Sequence, residues 1–283
     1  MTGLVFACIA PHGSLIIPLL GEKGAEKALA TRAAMEELGR RLAAAQPETI
    51  VLVTPHGHRV DGVFSLLNNQ RVQGTLGPEP ESNGNSFTLT FDVDKELNSA
   101  IVDASRTLDV PVARVYYAVV DDPTFYMPLD WGALVPLWFL GGMQEPRPKV
   151  VIACPDRGNM PWELFPSFGM AIRKAAETLD RRIAFVASAD LGHAHDAQGP
   201  YGYDIASREY DTALADAVKA EDLARLLEFD LDWLKRASTD SYGQILNLYG
   251  MIKGTGFRGE LLSYEVPTYF GMMCVAYSDE KAH

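Results

Sequence analysis

Five of the six histidines in this 283-residue sequence lie in three short motifs. His12 lies in APHG, His56 and His58 lie in TPHGH, and His193 and His195 lie in SADLGHAH. A single histidine after a strand is more often a loop residue than a functional one, but five in three such settings are difficult to explain by independent structural roles. Imidazole is a good ligand for Fe, Zn, Cu and Ni. The clustering therefore predicts a metal or catalytic site.

Each histidine motif follows an apolar run of strand length. These runs are Leu4–Ala10, Thr49–Thr54 and Arg182–Ser188, and a fourth run of the same kind is Lys149–Cys154. Ligands of open α/β sheets bind outside the carboxyl ends of the strands, so the three loops can converge on one site there. The spacing is too wide for a helical zinc-protease motif, and the ligands must come from separate loops.

Helical patterns separate these strands, at about Glu22–Ala45, Pro161–Leu179 and Tyr203–Lys219. Alternating strands and helices predict an α/β fold. We expect one domain over residues 1–283, with a central mostly parallel or mixed sheet, helices on both faces, and the site at the carboxyl ends of the strands.

Two polar segments are predicted as surface loops, Gly74–Asn85 and Gln144–Arg147. The first of them is rich in Gly, Pro, Asn and Glu, which favour turns. The residues that follow it, Ser86–Val93, alternate between apolar and polar as a half-buried strand does.

Composition excludes several classes of protein. The chain has 25 Lys and Arg against 37 Asp and Glu, a net charge of −12, which disfavours nucleic acid and anionic membrane surfaces as partners. We find no basic leader and no run of about 20 apolar residues, so we expect neither a signal peptide nor a membrane span and place the protein in the cytoplasm. Cys8, Cys154 and Cys274 are predicted to be small core residues rather than disulfide partners or zinc ligands.

At its motifs the chain resembles the class III extradiol ring-cleavage dioxygenases, the family of LigB-like catalytic subunits. Relatives of that family include DOPA-type dioxygenases and Memo-type proteins. The resemblance extends over nearly the whole chain, and five motifs carry it: APHG at 10–13, TPHG at 54–57, LDWGALVPL at 129–137, SADLGH at 188–193 and LLSYEVPTYFGM at 261–272.

The resemblance implies a single Fe(II) held by two histidines and one carboxylate, with open positions for a catechol-type diol and O₂. Zinc, copper or manganese are alternative metals. His12 and His56 match the two histidine ligands. His193 matches the histidine that acts as acid and base beside the substrate, although in Memo-type proteins and zinc-containing DOPA-type relatives the corresponding histidine contacts the metal.

The third ligand of the family has no identical counterpart in this chain. The dioxygenases supply a glutamate where this chain has Ser238–Gly250, a segment without Glu. Asp240 is the only carboxylate there and is the preferred candidate. Its alternative role is to cap the helix that follows, since Asp is a favoured N-cap residue. Glu265 is the second choice as carboxylate, and His195 is the second choice as a nitrogen ligand.

Other residues near the motifs have two interpretations. His58 is expected to face the substrate or support the site rather than bind metal. Trp131 stands where many of the dioxygenases have a histidine that helps to hold a substrate hydroxyl. Together with Phe125, Tyr126 and Trp138, it is more simply interpreted as packing than as a wall that binds an aromatic ring.

The predicted function is extradiol cleavage of a catechol-type ring with O₂, with His193, His58 and His195 as candidate catalytic residues. The main alternative is a Memo-like metal-binding or redox module without dioxygenase activity. A metal-dependent hydrolase is a third class, because an open metal position can also activate water. The partners implied are an aromatic diol and O₂, with a second copy of the chain or a small lid subunit as further candidates.

Overall fold

The computed structural model describes residues 3–77, 84–156, 158 and 160–279. Within them the chain forms eleven strands and seven α-helices. The strands are β1 (Gly3–Ala10), β2 (Thr49–Val53), β3 (Phe64–Leu67), β4 (Arg71–Leu76), β5 (Phe87–Asp92), β6 (Val112–Val115), β7 (Tyr126–Pro128), β8 (Lys149–Pro155), β9 (Arg182–Ser188), β10 (Phe257–Glu265) and β11 (Met272–Asp279). The helices are α1 (Leu29–Ala45), α2 (Lys95–Arg106), α3 (Trp131–Phe139), α4 (Leu164–Thr178), α5 (Ile205–Lys219), α6 (Leu231–Ala237) and α7 (Tyr242–Ile252).

Eight strands form the main sheet, in the order β10-β11-β1-β9-β2-β8-β3-β6. The inner strands β1, β9, β2 and β8 are parallel to one another, whereas β11 runs antiparallel to β1 and β3 runs antiparallel to β8. These inner strands are the four apolar runs of the sequence, as expected for parallel strands buried on both faces. The predicted α/β fold with a mixed, mostly parallel sheet is confirmed.

Both faces of the main sheet are covered, and each has its own hydrophobic core. Helices α2, α4, α5 and α7 cover one face, with Phe168 and Phe185 in its core. Helices α1 and α3 cover the other face together with a small sheet of order β5-β4-β7, and Met35 and Leu52 lie in that core. Cys8, Cys154 and Cys274 are buried and free, as predicted.

The register of the inner strands brings their carboxyl ends to one level. Ala10 of β1 pairs with Ser188 of β9, and Val53 of β2 pairs with Ala187 of the same strand. The residues that follow β1, β2 and β9 therefore leave the sheet side by side. The three histidine motifs begin at this edge.

Helix α7 lies directly on α4, and its own sequence permits this close approach. A side chain at Gly250 would collide with the carbonyl oxygen of Pro166. The two backbones therefore come into contact near the C-terminal end of α7. The turn that precedes α7 contains Asp240.

Two local predictions differ from the structure. The helix predicted from Glu22 begins only at Leu29, because Gly24 takes a left-handed φ of 88° and the next residues form a short 3₁₀ turn. The predicted loop Gly74–Asn85 begins inside β4, which pairs with β5 through Leu76, and residues 78–83 lie outside the described part of the chain. Gly74 pairs with Leu89 there, and a side chain in its place would collide with the carbonyl oxygen of Leu129.

Among the helices in the described ranges, none combines the length and the apolar character needed to cross a membrane.

Candidate metal centre

Three side chains predicted as metal ligands meet at the carboxyl edge of the sheet. His12 follows β1, His56 follows β2, and Asp240 precedes α7. The Nε2 atoms of the two histidines are 3.3 Å apart, and Asp240 Oδ2 lies 3.4 Å from His12 Nε2 and 3.6 Å from His56 Nε2. These three residues, which we call the metal cluster, form a group that could hold one ion.

The Asp240 carboxylate is free to bind a metal because it does not cap α7. The N-cap position belongs to Ser241, and no side chain accepts a capping hydrogen bond there. The backbone carbonyl of Asp240 accepts a hydrogen bond of 2.8 Å from Gln244 Nε2, which holds the turn in place. Asp240 Oδ1 is buried and has no hydrogen-bond partner within the described residues. The capping alternative for Asp240 is therefore wrong.

His12 is the most firmly held member of the metal cluster. It is 2% exposed, its backbone N–H donates to Asp190 Oδ1 at 3.0 Å, and its Nδ1 lies 3.0 Å from Ser188 Oγ. Burial opposes a charged ring, but the carboxylates of Asp190 and Asp240 outweigh it and raise the pKa of His12 to about 9.

The two carboxyl groups beside His12 respond differently to their surroundings. Burial raises the pKa of Asp190, and the positive charge of His12 offsets only part of this rise. Burial acts in the same direction on Asp240, but the charge and hydrogen bonds of His12 and His56 bring the pKa of Asp240 well below its usual range. Asp240 is therefore the carboxylate that stays ionised and can act as an anionic ligand.

His56 sits at the mouth of the site. Its backbone N–H donates to Thr54 Oγ1 at 3.2 Å, and its ring lies 4.5 Å from that of Trp131, measured between centroids. Gly132 makes this packing possible, because a side chain there would come within 2.7 Å of His56 Cδ2. The Asp130 carboxylate accepts a hydrogen bond of 2.7 Å from the backbone N–H of Gly57 and so holds the same loop.

His193 lies beside the metal cluster without belonging to it. Its Nδ1 is 2.8 Å from the carbonyl oxygen of Leu191, which can only accept, so Nδ1 carries a proton and Nε2 is the ring nitrogen not engaged by that carbonyl. Its charge lowers the pKa of both Asp190 and Asp240, which places it close to them.

Aromatic rings surround His193. Phe270 stacks on it at 5.2 Å between centroids, and Tyr201 and Tyr269 lie at 5.6 Å and 5.9 Å. Trp131, which contacts the ring of His56, is 47% exposed. The expectation that Trp131, Phe125 and Tyr126 are core residues is wrong, because all three are exposed at the surface, whereas Trp138 packs against the core as expected.

The structure places His195 in a different group. Its Nε2 lies 2.9 Å from Asp211 Oδ2, and the same oxygen accepts a hydrogen bond of 2.7 Å from the Tyr264 hydroxyl. Asp211 Oδ1 accepts the backbone N–H of Gly192 at 2.9 Å. We call His195, Asp211 and Tyr264 the Asp211 cluster. It supports the backbone next to His193 and does not bring His195 to the metal cluster.

The remaining candidates also lie apart from the metal cluster. The Glu265 carboxylate accepts two hydrogen bonds of 2.7 Å from the backbone N–H and hydroxyl of Thr31, at the start of α1. His58 is half-buried, and its Nδ1 has no partner within the described ranges. Because Glu265 is occupied at α1, Asp240 is the carboxylate that the fold brings to the two histidines.

The residues of the metal cluster fit a divalent ion. Atoms that bind one ion with bonds of about 2.0–2.2 Å lie about 3.0–3.6 Å from one another, and the separations in the cluster are 3.3–3.6 Å. The orphaned Oδ1 of Asp240 is a second indication, since buried carboxylate oxygens normally have a partner. Two imidazoles and one carboxylate are the ligand set of non-haem Fe(II) enzymes with open positions.

Two supporting residues were not among the predicted site residues. Ser188 and Asp190 both contact His12, and both belong to the SADLGH motif that was singled out for His193. Their position at the end of an apolar strand is the sequence feature that could have marked them as site residues. The pairing of β1 with β9, which puts them beside His12, could not be inferred from either segment alone.

The sequence was compared with known families and proteins. The family described as the catalytic LigB subunit of aromatic ring-opening dioxygenase matches residues 6–274. The chain belongs to this family. The match includes all three residues of the metal cluster and His193.

One curated relative of this LigB-family chain is Protein CA_C1420 of Clostridium acetobutylicum. It is 27% identical over 257 residues, and the match covers 91% of this chain and 54% of the relative. The LigB-family chain thus spans about half the length of that protein. Among solved structures, the uncharacterized protein JW3007 of Escherichia coli K12 matches with a TM-score of 0.56 at 13% identity, covering 96% of this chain and 99% of that one. That similarity concerns the fold.

Proposed function

We propose that this protein is a non-haem Fe(II)-dependent dioxygenase that opens a catechol-type ring next to its two hydroxyl groups with O₂. The observation that carries the proposal is the convergence of His12, His56 and Asp240 at the carboxyl edge of the sheet, with ligand atoms 3.3–3.6 Å apart. Membership of the family of aromatic ring-opening dioxygenases supports the aromatic substrate and the reaction type.

The metal cluster would hold the iron through His12 Nε2, His56 Nε2 and Asp240 Oδ2. When bound, Fe(II) would supply the electron chemistry that O₂ requires, as cofactors do in other enzymes of this kind. Two neutral imidazoles and one carboxylate leave the ion with a net charge of about +1, which favours the binding of an ionised diol.

His193 is suited to move the protons of the substrate. Since Nδ1–H is engaged by the Leu191 carbonyl, Nε2 is the atom that can accept a proton from a ring hydroxyl and later return it.

The walls of the site fit a flat aromatic molecule. Tyr201, Tyr269 and Phe270 line the side of His193, and Trp131 lies on the side of His56. Offset or edge-on contacts between aromatic rings contribute about 0.5–1.5 kcal/mol each. These rings would orient the diol, and the partly exposed Trp131 and Tyr201 leave the site open to solvent for entry.

The test is oxygen uptake by protein loaded anaerobically with Fe(II). A panel of catechols should include one that starts O₂ consumption and gives a coloured ring-opened product with one O₂ used per molecule cleaved. Zinc-loaded protein is the matched control, since zinc has no redox chemistry. Stoichiometric iron with no uptake on any catechol would contradict the proposal.

The Memo-like alternative rests on one feature of this chain, the aspartate where the ring-cleaving relatives supply a glutamate. Under that alternative the metal cluster binds copper or zinc in preference to iron and supports no oxygen uptake. Metal analysis of the protein purified without added metal separates the two functions.

A further inference from the structure

Ser188 connects the two histidines of the metal cluster. Its side chain is fully buried at the end of β9, and its hydroxyl lies 2.5 Å from the carbonyl oxygen of Gly132 and 3.0 Å from His12 Nδ1. Gly132 is also the residue whose missing side chain makes room for the ring of His56. One hydroxyl thus touches the ring of the first histidine and the backbone that supports the second.

Counting donors decides the direction of both hydrogen bonds. A carbonyl oxygen can only accept, so the single proton of Ser188 is donated to Gly132. The Ser188 oxygen is then an acceptor toward His12, and Nδ1 must carry the proton that it receives. This leaves Nε2 of His12, the atom that faces Asp240 and His56, as the one that can bind metal.

We propose that Ser188 is a positioning residue that fixes the orientation and the tautomer of His12, so that its Nε2 lone pair is directed to the metal. The inference rests on the metal centre of the proposed function but not on ring cleavage. A ligand histidine normally donates its other ring N–H to a fixed acceptor, and losing that acceptor typically lowers metal affinity about 10–100-fold. In this chain the acceptor is a serine hydroxyl, oriented in turn by the first turn of α3.

The first test is zinc affinity, measured by competition with a coloured chelator. Ser188→Ala should bind zinc about 10–100-fold more weakly than the wild-type protein. The matched control is Ser65→Ala, which removes another fully buried serine hydroxyl, one without a hydrogen-bond partner in the described part of the chain. The control should keep wild-type affinity. Equal affinities in all three proteins would overturn the role of Ser188.

The second test needs no variant and covers the case in which Ser188→Ala fails to fold. In zinc-loaded wild-type protein labelled with ¹⁵N-histidine, the ring of His12 should show a protonated Nδ1 and a metal-bound Nε2. Coordination through Nδ1, or a proton on Nε2, would overturn the inference. If the wild-type protein binds no zinc, the metal centre itself is wrong, an outcome distinct from a failure of Ser188 alone.

Discussion

The metal cluster and the Asp211 cluster both bring histidine and aspartate together, yet they differ in which polar atoms remain without a partner. In the Asp211 cluster the carboxylate meets three donors, from His195, Tyr264 and the backbone of Gly192. In the metal cluster two imidazole nitrogens and a carboxylate oxygen face one another, and Asp240 Oδ1 has no partner within the described residues. A buried histidine and aspartate therefore indicate a ligand site only where their polar atoms are not already satisfied by the protein.

The largest expected effect is the loss of metal from the metal cluster. His12→Ala or His56→Ala should abolish stoichiometric metal binding, because each removes one of three ligand atoms. His195→Ala is the matched control from the Asp211 cluster and should keep the metal. Metal content by elemental analysis checks both, and full retention in His12→Ala would refute the ligand assignment.

The next largest effect should separate His193 from both clusters. His193→Phe should keep Fe(II), because its ring lies outside the metal cluster, while turnover of a catechol falls by about 10²–10⁴, the usual contribution of a positioned acid and base. Iron content and oxygen uptake are measured on the same sample. Loss of metal would instead indicate that the His193 imidazole is a ligand, as in the Memo-like arrangement.

Replacing the aspartate of each cluster should affect different properties, protein stability in one case and metal affinity in the other. Asp211→Ala should lower the free energy of unfolding by about 3 kcal/mol, because three hydrogen-bond donors lose a buried acceptor, and the variant should still bind metal. Asp240→Ala should do the reverse: metal affinity falls, and the metal-free protein loses less stability. Denaturant unfolding and metal titration of both variants check this, and parallel losses in both would remove the distinction between the clusters.

The smallest expected effect is the pH dependence of metal affinity, which arises because the metal must displace a proton. In the metal-free protein the neighbouring carboxylates raise the pKa of His12 to about 9 against the effect of burial, so its ring is protonated at pH 7. Zinc must displace that proton, and affinity should fall about tenfold for each pH unit below 9. Calorimetry in buffers of different ionisation enthalpy should detect a proton released at pH 7 that is no longer released above pH 9. Binding without proton release at pH 7 would contradict a charged His12.

The inner strands and the grouping of the metal cluster were the predictable part of the molecule. The four buried strands are predicted to within one residue at each end, because continuous apolar runs have few other places in a fold. His12 and His56 are predicted from their positions after strands and from the family resemblance, and Asp240 is predicted from the resemblance. The start of α1 is less predictable, since a left-handed Gly24 inside an apolar pattern interrupts the helix.

The sequence does not predict which polar side-chain atoms already have hydrogen-bond partners within the protein. His195 lies two residues from His193, yet its Nε2 is bound to Asp211 from α5, a pairing that no local pattern reveals. Ser188 shows the converse case. The sequence pattern indicates only that it is the last residue of an apolar strand, and the pairing of β1 with β9 brings it to His12. Partners far apart in the chain decide the chemistry of each histidine.

The distance along the chain between the members of the metal cluster has a consequence for how the protein acquires its ion. His12 lies near the start of the chain, whereas Asp240 becomes part of the site only when α7 has packed on α4. A nascent chain that lacks α7 offers at most two of the three ligands. In many small zinc domains the ion nucleates folding, whereas a site completed by α7 would form only in the folded chain. If the metal cluster binds an ion as proposed, metal delivery would follow folding, and a cell short of the ion would accumulate folded, metal-free protein.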